Sequence, residues 1–179
     1  MNARRDAETS MLLAGLKVLV VDDSANMRDL IVALLNSMGI TDITCAEDGD
    51  AGLEYFATAT PDLVITDGMM EPMTGYAMTS AIRALSDDGA SGEFKRSDVP
   101  VLMLSGHSEP DIVEWARDEG VTDYIVKPVS PELFYERVLA AISNPTHIVE
   151  TAGFRGPSPR RTLPVHEAYR AQDKPAHDA

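Results

Sequence analysis

The sequence predicts an α/β fold, an open parallel sheet of five strands, doubly wound, with five helices covering its two faces. Three features carry that expectation. Between residues 16 and 144, short β-branched runs alternate repeatedly with longer segments of helical period. The runs are apolar at successive positions rather than at every second one, the pattern of strands buried on both faces. At 179 residues, with 44% apolar and 25% charged side chains, the chain is about one ordinary domain long and can bury a core of its own.

The first strand falls at 17–21, Lys-Val-Leu-Val-Val. Behind a Ser24 cap, Met27, Leu30, Ile31, Leu34, Leu35 and Met38 recur at intervals of three and four, giving an amphipathic helix that Gly39 ends. A strand at 42–46 leads to a helix at 50–59, which Pro61 separates from a third strand at 63–66. A helix at 76–85 comes next, then a polar loop over 86–98. The fourth strand is read at 101–104, its helix at 110–119 up to Gly120, the fifth strand at 123–126, and the last helix at 131–143. Residues 1–15 read as an N-terminal extension with no assigned element.

Charge divides the chain at Pro145. Residues 1–144 hold ten basic and twenty-five acidic side chains, whereas 145–179 hold five and four. That tail carries Pro145, Pro157, Pro159, Pro164 and Pro175 and no sustained apolar periodicity, so it is expected to be mostly disordered. A formal charge of −14 over the whole sequence repels phosphate backbones and anionic membrane surfaces alike, which argues against direct DNA binding. Cys45 is the single cysteine, so no intramolecular disulfide forms, and a reducing cytoplasm fits this composition. The apolar stretch from Met11 to Leu16 is interrupted by Lys17 well short of membrane-spanning length, so neither a signal peptide nor membrane insertion is expected.

A parallel sheet places its chemistry outside the carboxyl ends of its strands. Here those ends read Asp22-Asp23, Asp67, Ser105 and Lys127-Pro128. Three carboxylates converging on one rim repel one another unless a cation neutralises them, so either raised pKa values or a bound metal is expected. With no nitrogen or sulfur ligand among them the ion would be hard and oxygen-ligated, and Mg²⁺ suits because it keeps waters and leaves positions for phosphate oxygens. Asp67 could then attack a phosphoryl group in line, with Lys127 neutralising its oxygens and Ser105 donating a hydrogen bond.

The runs Leu19-Val20-Val21-Asp22-Asp23-Ser24, Asp62-Leu63-Val64-Ile65-Thr66-Asp67, Met70 to Gly75, Pro100 to Ser105 and Tyr124-Ile125-Val126-Lys127-Pro128 occur in this order. The stretch 16–144 resembles a CheY-like receiver domain of two-component response regulators. That resemblance implies a flavodoxin-like sheet of order 2-1-3-4-5. It implies Asp67 as phosphoacceptor, with Asp22, Asp23 and the Met69 backbone carbonyl joining it around Mg²⁺. Ser105 and Tyr124 match the family's switch residues, Lys127 its phosphoryl-binding lysine, and the Lys127–Pro128 bond is implied to be cis. The implied partners are a sensor histidine kinase or histidine phosphotransfer protein and a downstream protein target. Met69 and His107, two residues beyond Asp67 and Ser105, match positions that flank the path of hydrolytic water. Two departures stand out: Pro72 lies one position later than in the family's common loop, and 86–98 is longer than the usual connection.

Each residue also has a plainer reading. Ser105 could cap the helix after it, Lys127 could be a surface lysine, Tyr124 could simply pack, and His107 could be a loop residue. In the tail, Arg155, Arg160 and Arg161 lie in a stretch that resembles the arginine-containing tails of some alphaproteobacterial single-domain receivers, which implies cyclic di-GMP as a candidate ligand beside a plain solvated extension. No effector domain is read in the sequence, so the expected function is a single-domain response regulator acting through protein–protein contact in a phosphorelay. A scaffold that works without phosphorylation is the alternative. A flavin binder would need a phosphate-cradling loop where Asp22-Asp23 stands, and a phosphohydrolase would need a general acid and cap that are not found.

Overall fold

A computed structural model describes residues 3–85, 96–143, 148–151 and 154–157. Five strands, β1 (Lys17–Val21), β2 (Asp42–Ala46), β3 (Leu63–Asp67), β4 (Val101–Ser105) and β5 (Asp123–Val126), form one parallel sheet in the order β2-β1-β3-β4-β5. Registers such as Val20 opposite both Cys45 and Ile65, and Thr66 opposite Met103, bring the carboxyl ends of the central strands level with one another. The expected flavodoxin-like order is therefore present.

Alternation along the strands sorts the core into layers, because successive side chains leave a strand on opposite faces. Val18, Val20, Leu63, Ile65, Leu102 and Leu104 pack with Ile31 and Leu35 of α2 (Ala25–Ser37) and with Phe134 and Val138 of α6 (Pro131–Ser143). On the other face Leu19, Val21 and Val64 meet Phe56 of α3 (Gly49–Thr58) and Met78 and Ile82 of α4 (Gly75–Ala84). Met103 and Tyr124 pack with Val113 and Ala116 of α5 (Pro110–Asp118) and with Tyr76. Each fully buried aliphatic or aromatic side chain of this kind contributes roughly 1.5–3 kcal/mol.

Short polar side chains start several of these helices. Ser24, Asp48, Thr74 and Ser130 accept hydrogen bonds from the amides of Met27, Ala51, Ala77 and Leu133, satisfying donors that the first turn leaves free. Gly39 follows α2 with φ +89°, a left-handed conformation that glycine adopts without penalty. Arg83, buried near the end of α4, donates to the carbonyls of Gly120, Ser97 and Val99 and fastens that helix to the turns around β4 and β5. Among the described residues no helix is long and apolar enough to cross a membrane.

Three sequence expectations change. The extension at 1–15 contains a helix, α1 (Ala3–Ala14), so the helices number six rather than five among the described residues. Leu13 and Leu16 insert into the layer formed by α2 and α6, a tertiary contact that composition alone does not reveal. Within the loop at 86–98, Arg96–Asp98 form a short 3-10 turn, while 86–95 lie outside the described residues. Within the tail expected to be mostly disordered, the described residues form two short strands, β6 (Ile148–Thr151) and β7 (Phe154–Pro157), that pair antiparallel, with β7 against α4 and α5. Such short strands have no apolar period to read. The disorder expected of 158–179 falls outside the described residues, as do Arg160 and Arg161.

The packing of α1 is testable by a matched pair of variants. Leu13 is 3% exposed and Met11 80%. In urea unfolding, Leu13→Ala is expected to cost roughly 2–3 kcal/mol, and Met11→Ala less than about 0.5 kcal/mol.

Candidate functional site

The parallel registers deliver the chemistry-bearing side chains to one rim. Asp22 follows β1 directly, its amide donating to Ala46 O, while Asp67 and Ser105 are the last residues of β3 and β4. Lys127 follows β5, and its amide donates to Ser105 O at 2.7 Å. The start of α4 presses against the end of β3 so closely that a Cβ on Gly75 would stand 1.9 Å from Asp67 O. Only glycine allows that approach. The Lys127–Pro128 peptide is cis, as the resemblance implies, and Glu71–Pro72 is cis as well.

The Lys127 ammonium sits between two carboxylates, 3.0 Å from Asp22 Oδ2 and 3.1 Å from Asp67 Oδ2. Asp22 is fully buried, its Oδ1 accepting from the Ser24 amide and its backbone carbonyl from the Arg28 guanidinium. A buried charge persists only when paired and hydrogen-bonded, and Asp22 has both kinds of partner. Asp23 remains exposed, yet carboxylate oxygens of Asp22, Asp23 and Asp67 all lie within 4.8 Å of one another. Burial pushes the Asp67 carboxyl above the usual carboxylate range. Lys127 opposes that shift, and the neighbouring Asp22 charge adds to it. Concentrated acidic oxygen with one ammonium beside it fits a small hard cation, Mg²⁺ above all.

A second cluster lies along β4 and β5. Ser105 is fully buried, and its Oγ accepts from the His107 amide at 3.2 Å. It does not cap α5, which begins at Pro110 behind Glu109. Tyr124 points inward, 6% exposed, its hydroxyl donating to His107 O at 2.9 Å and standing 3.5 Å from the Tyr76 hydroxyl. Burial first, and then Tyr76, push the Tyr124 phenol well above its ordinary value, against a lowering contribution from Ser105. Met69 is half exposed, and so is the His107 side chain, whose Nδ1 lies 3.7 Å from Glu109 Oε2. Arg155 falls in β7, away from the carboxylate cluster in the chain.

The structure thus brings Asp22, Asp23, Asp67 and Lys127 together, and links Ser105, His107 and Tyr124 beside them. Sequence reasoning missed Arg28 and Tyr76. Arg28 lies four residues beyond the Ser24 cap, and nothing in its spacing announces a bond to a backbone carbonyl. For Tyr76 one signal existed, the glycine at 68, which leaves room for the phenol.

Residues 18–139 match the model of the response regulator receiver domain. The chain belongs to the receiver-domain family. Receiver domains are signalling modules, and this one shares 32% identity over 123 residues with the chemotaxis protein CheY of Pseudomonas aeruginosa, covering 69% of this chain and 93% of that protein. It shares 33% identity over 126 residues with a probable transcriptional regulator, ycf27, of Porphyridium aerugineum, covering 70% of this chain but only 48% of the regulator. The receiver chain therefore spans about half the length of that relative. Among solved structures, the CheX–CheY–BeF3–Mg²⁺ complex from Borrelia burgdorferi matches with a TM-score of 0.60 and 25% identity over 70% of this chain and 87% of that one.

The raised Asp67 pKa makes a stability prediction. Ionised Asp67 opposes folding wherever the pH exceeds its raised value, and that opposition vanishes below the ordinary carboxylate range. Asp67→Asn is therefore expected to melt at a higher temperature than the parent at pH 7, with the gap closing as pH falls below about 4. Thermal unfolding across that range checks it.

Proposed function

We propose that this chain is a response regulator that accepts a phosphoryl group on Asp67 from a phosphohistidine of a sensor kinase or phosphotransfer protein, and signals through protein–protein contact. The observation that carries the reading is the Lys127 ammonium held within 3.1 Å of both Asp22 and Asp67, beside carboxylates clustered within 4.8 Å. An Asp67 oxygen would form the new P–O bond while the P–N bond of the donor breaks and the imidazole leaves with the electron pair. Lys127 is already placed against Asp67 and would neutralise the phosphoryl oxygens. Ser105, one strand over, would give its hydroxyl hydrogen to the same group. Asp22, Asp23, Asp67 and the Met69 carbonyl would hold Mg²⁺, which supplies positive charge to the transferred group when bound. The Mg²⁺ and BeF3 of the Borrelia burgdorferi complex support the same chemistry here.

The direct test is incubation with acetyl phosphate and Mg²⁺ followed by intact-mass measurement. One base-labile phosphoryl group is expected, absent in Asp67→Asn and in excess chelator. Lys127→Met is expected to slow the modification about 100-fold. No modification of the parent protein would contradict the reading.

A second reading, a receiver-fold scaffold that works unphosphorylated, draws on one observation: Tyr124 already stands inward with its hydroxyl on His107 O. Partner capture of equal strength by the parent and Asp67→Asn proteins would favour it. Arg155, Arg160 and Arg161 of the tail keep cyclic di-GMP as a candidate ligand, tested by titrating cyclic di-GMP into full-length protein and into a chain ending at 145; equal binding by the two would remove it.

Met69 and His107 follow Asp67 and Ser105 by two residues, with both side chains about half exposed, and we propose that they narrow the approach of water to the acceptor. The Met69→Ala/His107→Ala double variant is expected to lose its phosphoryl group several-fold faster than the parent, measured as decay of the modified mass after the donor is removed.

A further inference from the structure

Tyr76, in the first turn of α4, has no role in the phosphoryl transfer proposed above, yet it touches two sides of the site. The ring is 1% exposed. Its hydroxyl lies 3.5 Å from that of Tyr124, whose only hydrogen goes to His107 O, so Tyr76 is the donor between the two phenols. On another side it abuts Gly68, the residue after Asp67: a Cβ there would meet the Tyr76 oxygen at 2.7 Å and Cζ at 2.9 Å. The Gly75 amide donates to Gly68 O, so the turn that carries Tyr76 is itself tied to the acceptor loop. The ring then stacks on Trp115 of α5, centroids 4.2 Å apart and planes at 20°, and Trp115 reaches the surface at 42% exposure.

These contacts form one continuous line. Ser105 Oγ holds the His107 amide, His107 O holds the Tyr124 hydroxyl, Tyr124 receives the Tyr76 hydroxyl, and Tyr76 stacks on Trp115. If Ser105 turns toward a phosphoryl group on Asp67, His107 loses its acceptor and the Tyr124 hydroxyl must follow the loop or shift its weight to Tyr76. Either response moves a ring that is packed against Trp115, because a close-packed interior has few continuous adjustments.

We propose that Tyr76 is a positioning residue that couples Tyr124 to the exposed face of α5, so that the setting of Trp115 reports whether Asp67 is modified. This rests on the phosphoacceptor reading above. It adds that the second tyrosine, not Tyr124 alone, carries the signal to the surface. Tyr76 takes no part in the transfer itself, so its loss leaves the modification of Asp67 intact while disconnecting the readout.

Trp115 is the single tryptophan of the sequence, which makes the test a fluorescence measurement on the full-length protein. Acetyl phosphate and Mg²⁺ are added to the parent, Tyr76→Phe and Tyr76→Leu, with phosphorylation scored separately by intact mass. All three are expected to reach the same extent of modification. The parent changes its Trp115 emission on modification. Tyr76→Phe keeps the stack and the parent's unmodified spectrum, but its change on modification falls about two-fold or more. Tyr76→Leu, which lacks the stack, loses the change. Equal fluorescence responses in the parent and Tyr76→Phe at equal modification would overturn the proposal, as would a modified parent whose emission does not move. Should the leucine variant fail to fold, the phenylalanine variant decides alone. A parent that takes no phosphoryl group at all would instead remove the phosphoacceptor reading, and this inference with it.

Discussion

The whole site depends on holding negative charge together at the rim of a buried sheet. Asp22 is fully buried and Asp67 largely so, and at such separation two carboxylates repel strongly in a medium less polar than water. The Lys127 ammonium makes that arrangement tolerable by bonding to both, and the Ser24 amide and Arg28 guanidinium satisfy the rest of Asp22. Even so, burial and the neighbouring charge leave Asp67 with a raised pKa. The site thus has room for more positive charge than the protein itself supplies. A divalent ion fits that imbalance, and its charge would offset the negative oxygens of a phosphoryl group arriving beside Lys127.

Parallel topology explains why these groups meet at all. They come from positions as distant in the chain as 22 and 127, and no local element could join them. Because all five strands run the same way, every carboxyl end faces one rim, and the register sets Asp67 beside Leu104 and Ser105 beside Val126. The same arrangement leads away from the site. Ser105 and Tyr124 lie on adjacent strands, and the two helices beyond them, α4 and α5, carry the stacked rings of Tyr76 and Trp115. One wall of the site is therefore continuous, through these rings, with the surface at Trp115.

Much of this was legible in the residues. Strands buried on both faces announce themselves as apolar runs, and polar or charged residues placed directly at their ends, as at Asp22, Asp67, Ser105 and Lys127, point to a shared rim. Helix α2 was legible because Ser24, the spaced leucines and Gly39 agree with one another. What was not legible depends on long-range packing. Helix α1 exists because Leu13 and Leu16 find a place in a layer built by α2 and α6. The pairing of β6 with β7 has no pattern in so few residues. Tyr76 carries no motif of its own, and its place between Gly68, Tyr124 and Trp115 comes from packing between separate elements.

Calorimetric titration of Mg²⁺ into the unmodified protein tests the central claim most directly. The account predicts single-site binding heat for the parent, weakened about ten-fold or more in Asp22→Asn because a buried oxygen ligand loses its charge. Baseline heat for the parent, or an affinity unchanged by Asp22→Asn, would contradict it.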